Sequence, residues 1–510
     1  AFTTQPTILV QDVSNNTVFN STVSIAASAS TGNGAVLGGT TSTSATSGSA
    51  TFSGLKFTGA VGSYTLTYAA TGLTSATETV TLLPGAANKL ALTTSAAGFT
   101  NRTAFTTQPA VTIQDADGNT LTNSTATVTV SSSTGNGAVL SGTTSVNATT
   151  SVATFAGLKL SGLVGDYTLT FASTGLTSTT QTVTLVHAAA DHLSLNTAPG
   201  STETNAVNFA TQPVVAVRDI DGNLVANGTN SIVASVVETD AVLSGTKTLA
   251  ATSGISTFTN LRLTGLVGAY TVRFSSTGLT GIDSTVNLAY GAAHHLDLTT
   301  QAAGFVNRVA FTTQPSLLVK DVSGNTVFDS TATIVASASA GNGAVLGGTK
   351  SLAATAGALS FTNLKFTGLV GDYTLTFAST GITSATQTIT LLPGAATQVV
   401  ETTSAAGFVN RAAFTTQPVA KIQDADGNVV TDSNATVTVT SSTGNGAVLG
   451  GTNAVAAASG VVTYSGLKLT GLVGDYTLTF ASTGLTSATQ TVTLTPAAAN
   501  KLGVNRSAAG

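Results

Sequence analysis

Residues 474–494 read GDYTLTFASTGLTSATQTVTL, and close variants of this stretch occur five times, with their tyrosines at Tyr64, Tyr167, Tyr270, Tyr373 and Tyr476, each 103 residues after the last. In YTLTF the Tyr, Leu and Phe alternate with Thr, the period-two pattern of a strand with one face buried. STGLTS follows as a turn-forming segment, and TQTVTL alternates again, so the stretch predicts a β-hairpin. One hairpin cannot bury its apolar face alone, so five equally spaced copies predict five small β domains in a row.

Working outward, each copy opens on a variant of AFTTQPTILVQDVSNNTVF, with prolines at Pro6, Pro109, Pro213, Pro315 and Pro418. Proline disfavours helix in its predecessor, and a strand follows that ends at Asp12, Asp115, Asp219, Asp321 or Asp424. Next comes a turn, DADGN, DIDGN or VSGN, in which Gly permits positive φ and Asp or Asn bonds its own backbone. A third strand is expected at TATVTVSS, then a tight GNGAVL loop in four copies (TGNGAVL in three of them), replaced in the third by VETDAVL. A further strand is expected to end in FSGLKF or its variants, led by Phe52, Phe155, Phe258, Phe361 and Tyr464. From there to the end of the hairpin no residue is inserted or lost. The second half of each copy therefore reads as the packed core and the first half as a tolerant edge.

Composition bounds what such an array can do. Charged residues make up 7% of the chain, against roughly 25% in ordinary soluble proteins. The apolar share is 42% and patterned, which separates the chain from disordered, charge-rich sequences. Its surface is expected to consist of Thr, Ser, Ala, Asn and Gly, and to pack against neighbours or carry glycans. A net charge of −4 from 17 basic and 21 acidic residues is too small and scattered to steer nucleic acid or anionic lipid. Cysteine is absent, which excludes disulfides and thiol chemistry; methionine is absent too, which suits an oxidising exterior. No apolar run reaches the roughly 20 residues that span a bilayer, so no membrane insertion is expected in this segment.

The predicted fold class is all-β: a tandem array of five Ig-like β-sandwich domains forming an extended rod. The expected domains are 1–85 (lacking its first strand), 86–188, 189–291, 292–394 and 395–497. Residues 498–510 read as the first strand of a following domain or as a donor strand for another copy, since KLGVNRSAAG aligns with KLALTTSAAG at 89–98. The chain thus reads as an interior or mature segment, continuous with further repeats or joined head to tail with other copies. The joints, such as LLPGAANKL and LVHAAADHL, leave about five residues before strand signal resumes, too few for a flexible tether.

The motifs FTTQPxVxVxDxxGN, GxATFxGL and GxYTLTxxxTGLTSAT together resemble bacterial Ig-like repeats, as in invasin- and intimin-type surface proteins and giant adhesin stalks. The resemblance covers the entire chain and implies Ig-like sandwiches, an extracellular, cell-surface location and a spacer or adhesive role. It also places Tyr64 and its counterparts at the tyrosine corner. The cysteine pair and core tryptophan of antibody domains are missing.

The acidic turns are the candidates for chemistry: Asp115 and Asp117, Asp219 and Asp221, and Asp424 and Asp426, with Ser14 and Ser323 replacing the second Asp in the first and fourth copies. Oxygen-rich loops can hold Ca²⁺, which stiffens the joints of some such stalks, although the spacing is not that of an EF-hand and one or two carboxylates make a thin ligand set. The competing expectation is a turn chosen for backbone geometry. The four histidines, His187, His192, His294 and His295, lie in two joints without the companions a zinc site needs. Two of five copies, the first and the fifth, contain no histidine, so no hydrolytic triad recurs through the array and no enzymatic activity is expected. Of the sequons at Asn15, Asn20, Asn101, Asn123, Asn147, Asn227, Asn434 and Asn505, only Asn20, Asn123 and Asn227 share a position, in the first three copies, so no sequon recurs through the whole array. Outward Thr rows, such as Thr168 and Thr170, suit exposed strands; a hydroxyl array for polysaccharide or ice is the alternative. The expected function is therefore a structural stalk or filament segment, assembled head to tail and laterally bundled with other copies. The competing class is an adhesin whose repeats grip a glycan or surface ligand.

Overall fold

The computed structural model describes residues 1–32 and 34–503, so the expectations for Asn33, for the sequon at Asn505 and for most of the 498–510 strand lie outside the described residues. Every named element is a β-strand. Buried apolar side chains gather into five clusters among the described residues, spanning 10–68, 90–185, 193–288, 296–391 and 399–494. Each cluster, with the strands around it, is called a unit below.

The second unit shows the plan. One sheet holds Val152–Thr154, Ala110–Gln114 and Lys89–Thr94; the other holds Ser145–Asn147, Thr127–Ser132, Gly165–Ala172 and Thr179–Leu185. A two-stranded ribbon, Val139–Ser141 with Lys159–Ser161, flanks them. The hairpin forms where the sequence places it, with Tyr167 opposite Val183 and Leu169 opposite Gln181. Tyr167, Leu169 and Phe171 are buried while Thr168 and Thr170 are half-buried, so alternation decided which face meets the core. The Tyr167 hydroxyl donates to the Leu163 carbonyl at 2.7 Å, and Tyr270, Tyr373 and Tyr476 bond the carbonyl four residues upstream in the same way. This is the tyrosine corner of an Ig-like sandwich.

Two sequence expectations change. The strand expected to run through FAGLKL is broken: Val152–Thr154 joins one sheet, the chain turns at Gly157 (φ 65°), and Lys159–Ser161 joins the ribbon. Gln108 holds this corner, accepting from Leu158 N–H at 2.9 Å and donating to the Phe105 and Leu158 carbonyls. The same bonds recur at Gln212, Gln314 and Gln417. Second, the first half of each copy is not a tolerant edge. Leu90, Phe105, Val111, Ile113, Val128 and Val130 are as buried as the aromatics of the second half, because each sheet draws strands from both halves and the core lies between the sheets.

The third unit departs from the others where VETDAVL replaces the glycine loop. Its strand Ala241–Ser244 is one residue longer than Val139–Ser141, and the Glu238 carboxylate accepts the Thr271 N–H that Ser133 accepts from Thr168 in the second unit. In the first unit, strand Thr7–Leu9 pairs only with Ser49–Thr51 among the described residues, whereas Ala110–Gln114 is flanked on both sides.

Candidate functional site: the joints between units

The acidic turns lie where one unit meets the next. Between the second and third units, the Asp219 carboxylate sits fully buried at the centre. Its Oδ1 accepts the N–H groups of Asp221 (3.0 Å) and Asn223 (2.8 Å), which shapes the turn itself. Its Oδ2 accepts from the linker, Ala188 N–H at 2.9 Å, and from the preceding unit, Asn101 Nδ2 at 2.9 Å. The Asn223 amide completes the set: its Nδ2 donates to Asp219 and to the Gly162 carbonyl, and its Oδ1 accepts Val164 N–H at 2.8 Å. Turn, linker and preceding unit are thus tied through one carboxylate and two amides.

Local structure puts Asn101 there. The Gln181 side chain grips the N–H and carbonyl of Ala96 at 2.9 and 2.8 Å, fixing the segment that leaves the first strand. Asn101 N–H then donates to Val186 O, and Arg102 N–H to Leu160 O at 2.8 Å. Arg102 takes φ 64°, which ends the segment and turns its side chain over the joint. The Asn101 Oδ1 accepts Gly162 N–H at 3.0 Å, so Gly162 is bonded on both sides of its peptide. Gly162 has φ 142°, and a Cβ there would lie 2.7 Å from the Ala138 Cα, so only glycine fits.

The second carboxylate of the turn faces outward. Asp221 accepts Asn101 Nδ2 at 2.7 Å and Arg102 Nε at 2.7 Å, and Arg102 Nη2 closes a two-pronged ion pair. The joint between the fourth and fifth units repeats the arrangement with Asn307, Arg308, Asp424, Asp426, Gly394 and Asn428. Between the third and fourth, Asn205 donates to Asp321 at 2.7 Å and to the Ser323 hydroxyl at 3.0 Å, while Gly291 N–H supplies the linker bond. In the first joint no Asn of the preceding unit bonds the turn among the described residues. There Gly85 N–H reaches Asp115 at 2.8 Å, Asn119 bonds Gly59 O and Val61 N–H, and Asp117 accepts Gly59 N–H.

Electrostatics follow from these contacts. Burial pushes the Asp219 carboxyl up, but the Asn223 amide, Ala188 N–H and Asn101 amide outweigh it and hold its pKa at about 2. Asp424 is likewise held at about 2, burial again opposing the Asn307 and Asn428 amides. The Arg102 guanidinium holds Asp221 below the usual carboxylate range, and Arg308 does the same for Asp426.

These carboxylates do not fit calcium. The ion takes six to eight oxygen ligands, whereas the oxygens of Asp219, Asp221, Asp424 and Asp426 already accept N–H groups, and a guanidinium stands over the outer carboxylate. Among the described residues no cluster of three or more His, Cys, Asp or Glu gathers. His187 bonds Ala188 O, His192 bonds the Asp191 carboxylate, and His294 meets His295 edge to face. Asn101, a sequon in the sequence, is 1% exposed with its amide nitrogen committed to two aspartates, so the closed joint leaves no room for a glycan on it. Sequence reading missed Asn101, Asn205, Asn307, Arg102 and Arg308 as partners of the turns. The recurrence of Asn in AGFTNR, NAV and AGFVNR was the available signal.

No family model and no curated protein matches this chain. Among solved structures it is similar to FdeC, an Escherichia coli adhesin, at 16% identity over 60% of this chain and 96% of that one (TM-score 0.26). It is similar to invasin, a bacterial integrin-binding protein, at 15% identity over 80% and 79% (TM-score 0.26). Domains 4–9 of the surface layer protein SbsC match at 15% identity over 94% and 75% (TM-score 0.19). The all-β architecture and the tyrosine corners described above identify the fold of the repeating unit as an Ig-like β-sandwich.

Proposed function

We propose that this chain is a stalk or filament segment of a microbial surface protein, a spacer whose work is mechanical. Its five units are separate Ig-like domains, bounded near 85, 188, 291 and 394. The observation that carries this reading is the joint. Each of three successive joints buries an aspartate that bonds the turn of one unit, the intervening linker and an asparagine of the preceding unit at once. A linker held by its own backbone N–H has little freedom to swing, so bending requires breaking charge-assisted hydrogen bonds. With 7% charged residues, the faces of neighbouring rods repel one another weakly, which favours lateral bundling. Head-to-tail addition of further units through the same joint extends the rod. An extracellular, non-enzymatic role follows from this reading.

Small-angle X-ray scattering of the full chain tests it. At on the order of 35–40 Å per hundred-residue unit, a stiff rod gives a maximum dimension near five unit lengths and a cross-section one unit wide. A maximum dimension well below that, with the broad distance distribution of jointed beads, overturns the proposal.

A further inference from the structure

We infer that the joints are keyed: an Arg following the clasping Asn fits a turn reading Asp-x-Asp, and an Ala in that place fits a turn reading Asp-x-Ser. Asn101–Arg102 meets Asp219-x-Asp221, and Asn307–Arg308 meets Asp424-x-Asp426. In the joint between the third and fourth units both members change together, with Asn205–Ala206 meeting Asp321-x-Ser323. The backbone does not change with them. Arg102, Ala206 and Arg308 have φ of 64°, 62° and 69°, and each donates its N–H at 2.8 Å to the strand Lys159–Ser161 or its counterpart. Position 206 therefore accepts an arginine as readily as position 308 does.

The reason for the pairing is charge. Asp424 and Asp426 share one amide nitrogen, that of Asn307, so two carboxylates face each other across a single donor. Arg308 holds the Asp426 carboxyl down against the charge of Asp424, which pushes it up. Where serine replaces the outer carboxylate, one negative charge remains and the joint closes without a cation. An Asp-x-Asp turn opposite Ala leaves two anions under one amide. An Arg opposite Asp-x-Ser merely stays solvated. Mismatch is thus costly in one direction, and that asymmetry restricts which unit follows which. The surface formed by Asn410, Arg411 and Gly471, where Gly471 N–H already donates to Asn410 Oδ1, fits an Ig-like unit with an Asp-x-Asp-Gly-Asn turn. The turn at Asp12 and Ser14 fits a unit presenting Asn followed by a small residue.

This inference rests on the stalk reading, and the experiment separates the two. Hydrogen exchange with mass spectrometry is followed on the full chain at Val267 N–H and Gly291 N–H, which report the joint between the third and fourth units without touching either substituted side chain. Ser323→Asp alone is expected to speed exchange there about tenfold, a coupling in the usual range for neighbouring charges. Ala206→Arg alone changes nothing, and the two together restore the original rate. At the joint between the fourth and fifth units, Arg308→Ala speeds exchange at Val370 N–H and Gly394 N–H, and adding Asp426→Ser brings it back. Additive effects in both cycles overturn the keyed joint even where scattering still shows a rod. A flexible chain in scattering, with non-additive cycles intact, instead overturns the stalk.

Discussion

Replacing Asn307 with Ala is the sharpest test of the clasp. The substitution removes two hydrogen bonds to carboxylates, 2.8 Å to Asp424 and 2.7 Å to Asp426, and one accepted from Gly368 N–H at 3.0 Å. Bonds to charged groups contribute about 1.5–3 kcal/mol each and a neutral one about 1 kcal/mol. Asp426 keeps Arg308, and Asp424 keeps the Asn428 amide and Gly394 N–H, so the loss falls below the simple sum of these bonds, at about 3 kcal/mol. At about 1.4 kcal/mol per decade, that raises the population of the open joint about a hundredfold. A folded array has no single unfolding free energy to read, so the assay must be local. Amide exchange at Val370 and Gly394, whose acceptors are Asn428 and Asp424, reports opening of this joint, and Ala188 and Val164 report the intact joint between the second and third units. The expected result is acceleration by about two decades at the first pair and none at the second. Less than a threefold change at Val370 and Gly394 refutes the clasp, and equal change at both pairs shows that the substitution loosens units rather than the joint.

Further outcomes follow from the same geometry. Because Asp219 and Asp424 sit at about 2 when folded against an ordinary 3.8, their contribution, about 2 kcal/mol per joint, is complete above about pH 4 and is lost as pH falls through 2. Scattering should therefore show the same extended particle at pH 7 and pH 5, with joints loosening between pH 4 and 2; an unchanged curve at pH 2 contradicts the assignment. A calcium chelator should leave the maximum dimension at pH 7 unaltered, since N–H donors occupy the carboxylates, and shortening on chelation restores the metal expectation. Gly368→Ala should open the joint and destabilise the fourth unit by about 1–3 kcal/mol, because φ is 138° and the new Cβ would lie 2.6 Å from Ala344 Cα. Wild-type thermal unfolding and joint exchange in that variant would show the clash to be relieved elsewhere.

The hairpin was legible because a strand announces its buried face every second residue. Tyr167, Leu169 and Phe171 needed no tertiary information to be placed inside. The acidic turns were legible as unusual but not as to purpose. Asp219 finds its partner 118 residues upstream, in a segment whose only periodic signal is one asparagine per repeat. That residue also completes a sequon, which drew attention to its surface chemistry rather than to its burial. The broken FAGLKL strand was invisible for a related reason: alternation continues across Phe155 while the backbone changes sheets at Gly157, and pattern alone does not say which neighbour a strand pairs with. Low insertion tolerance in the second half was mistaken for exclusive ownership of the core.

The long reach of that asparagine also sets an order of events during synthesis. Asn101 emerges 118 residues before Asp219, and the second unit is complete before the turn that binds it exists. A growing chain therefore carries an unclosed coupling at its youngest finished unit, sealed only when roughly the first third of the following unit has left the ribosome. Stiffness advances in steps, always one unit behind the nascent end.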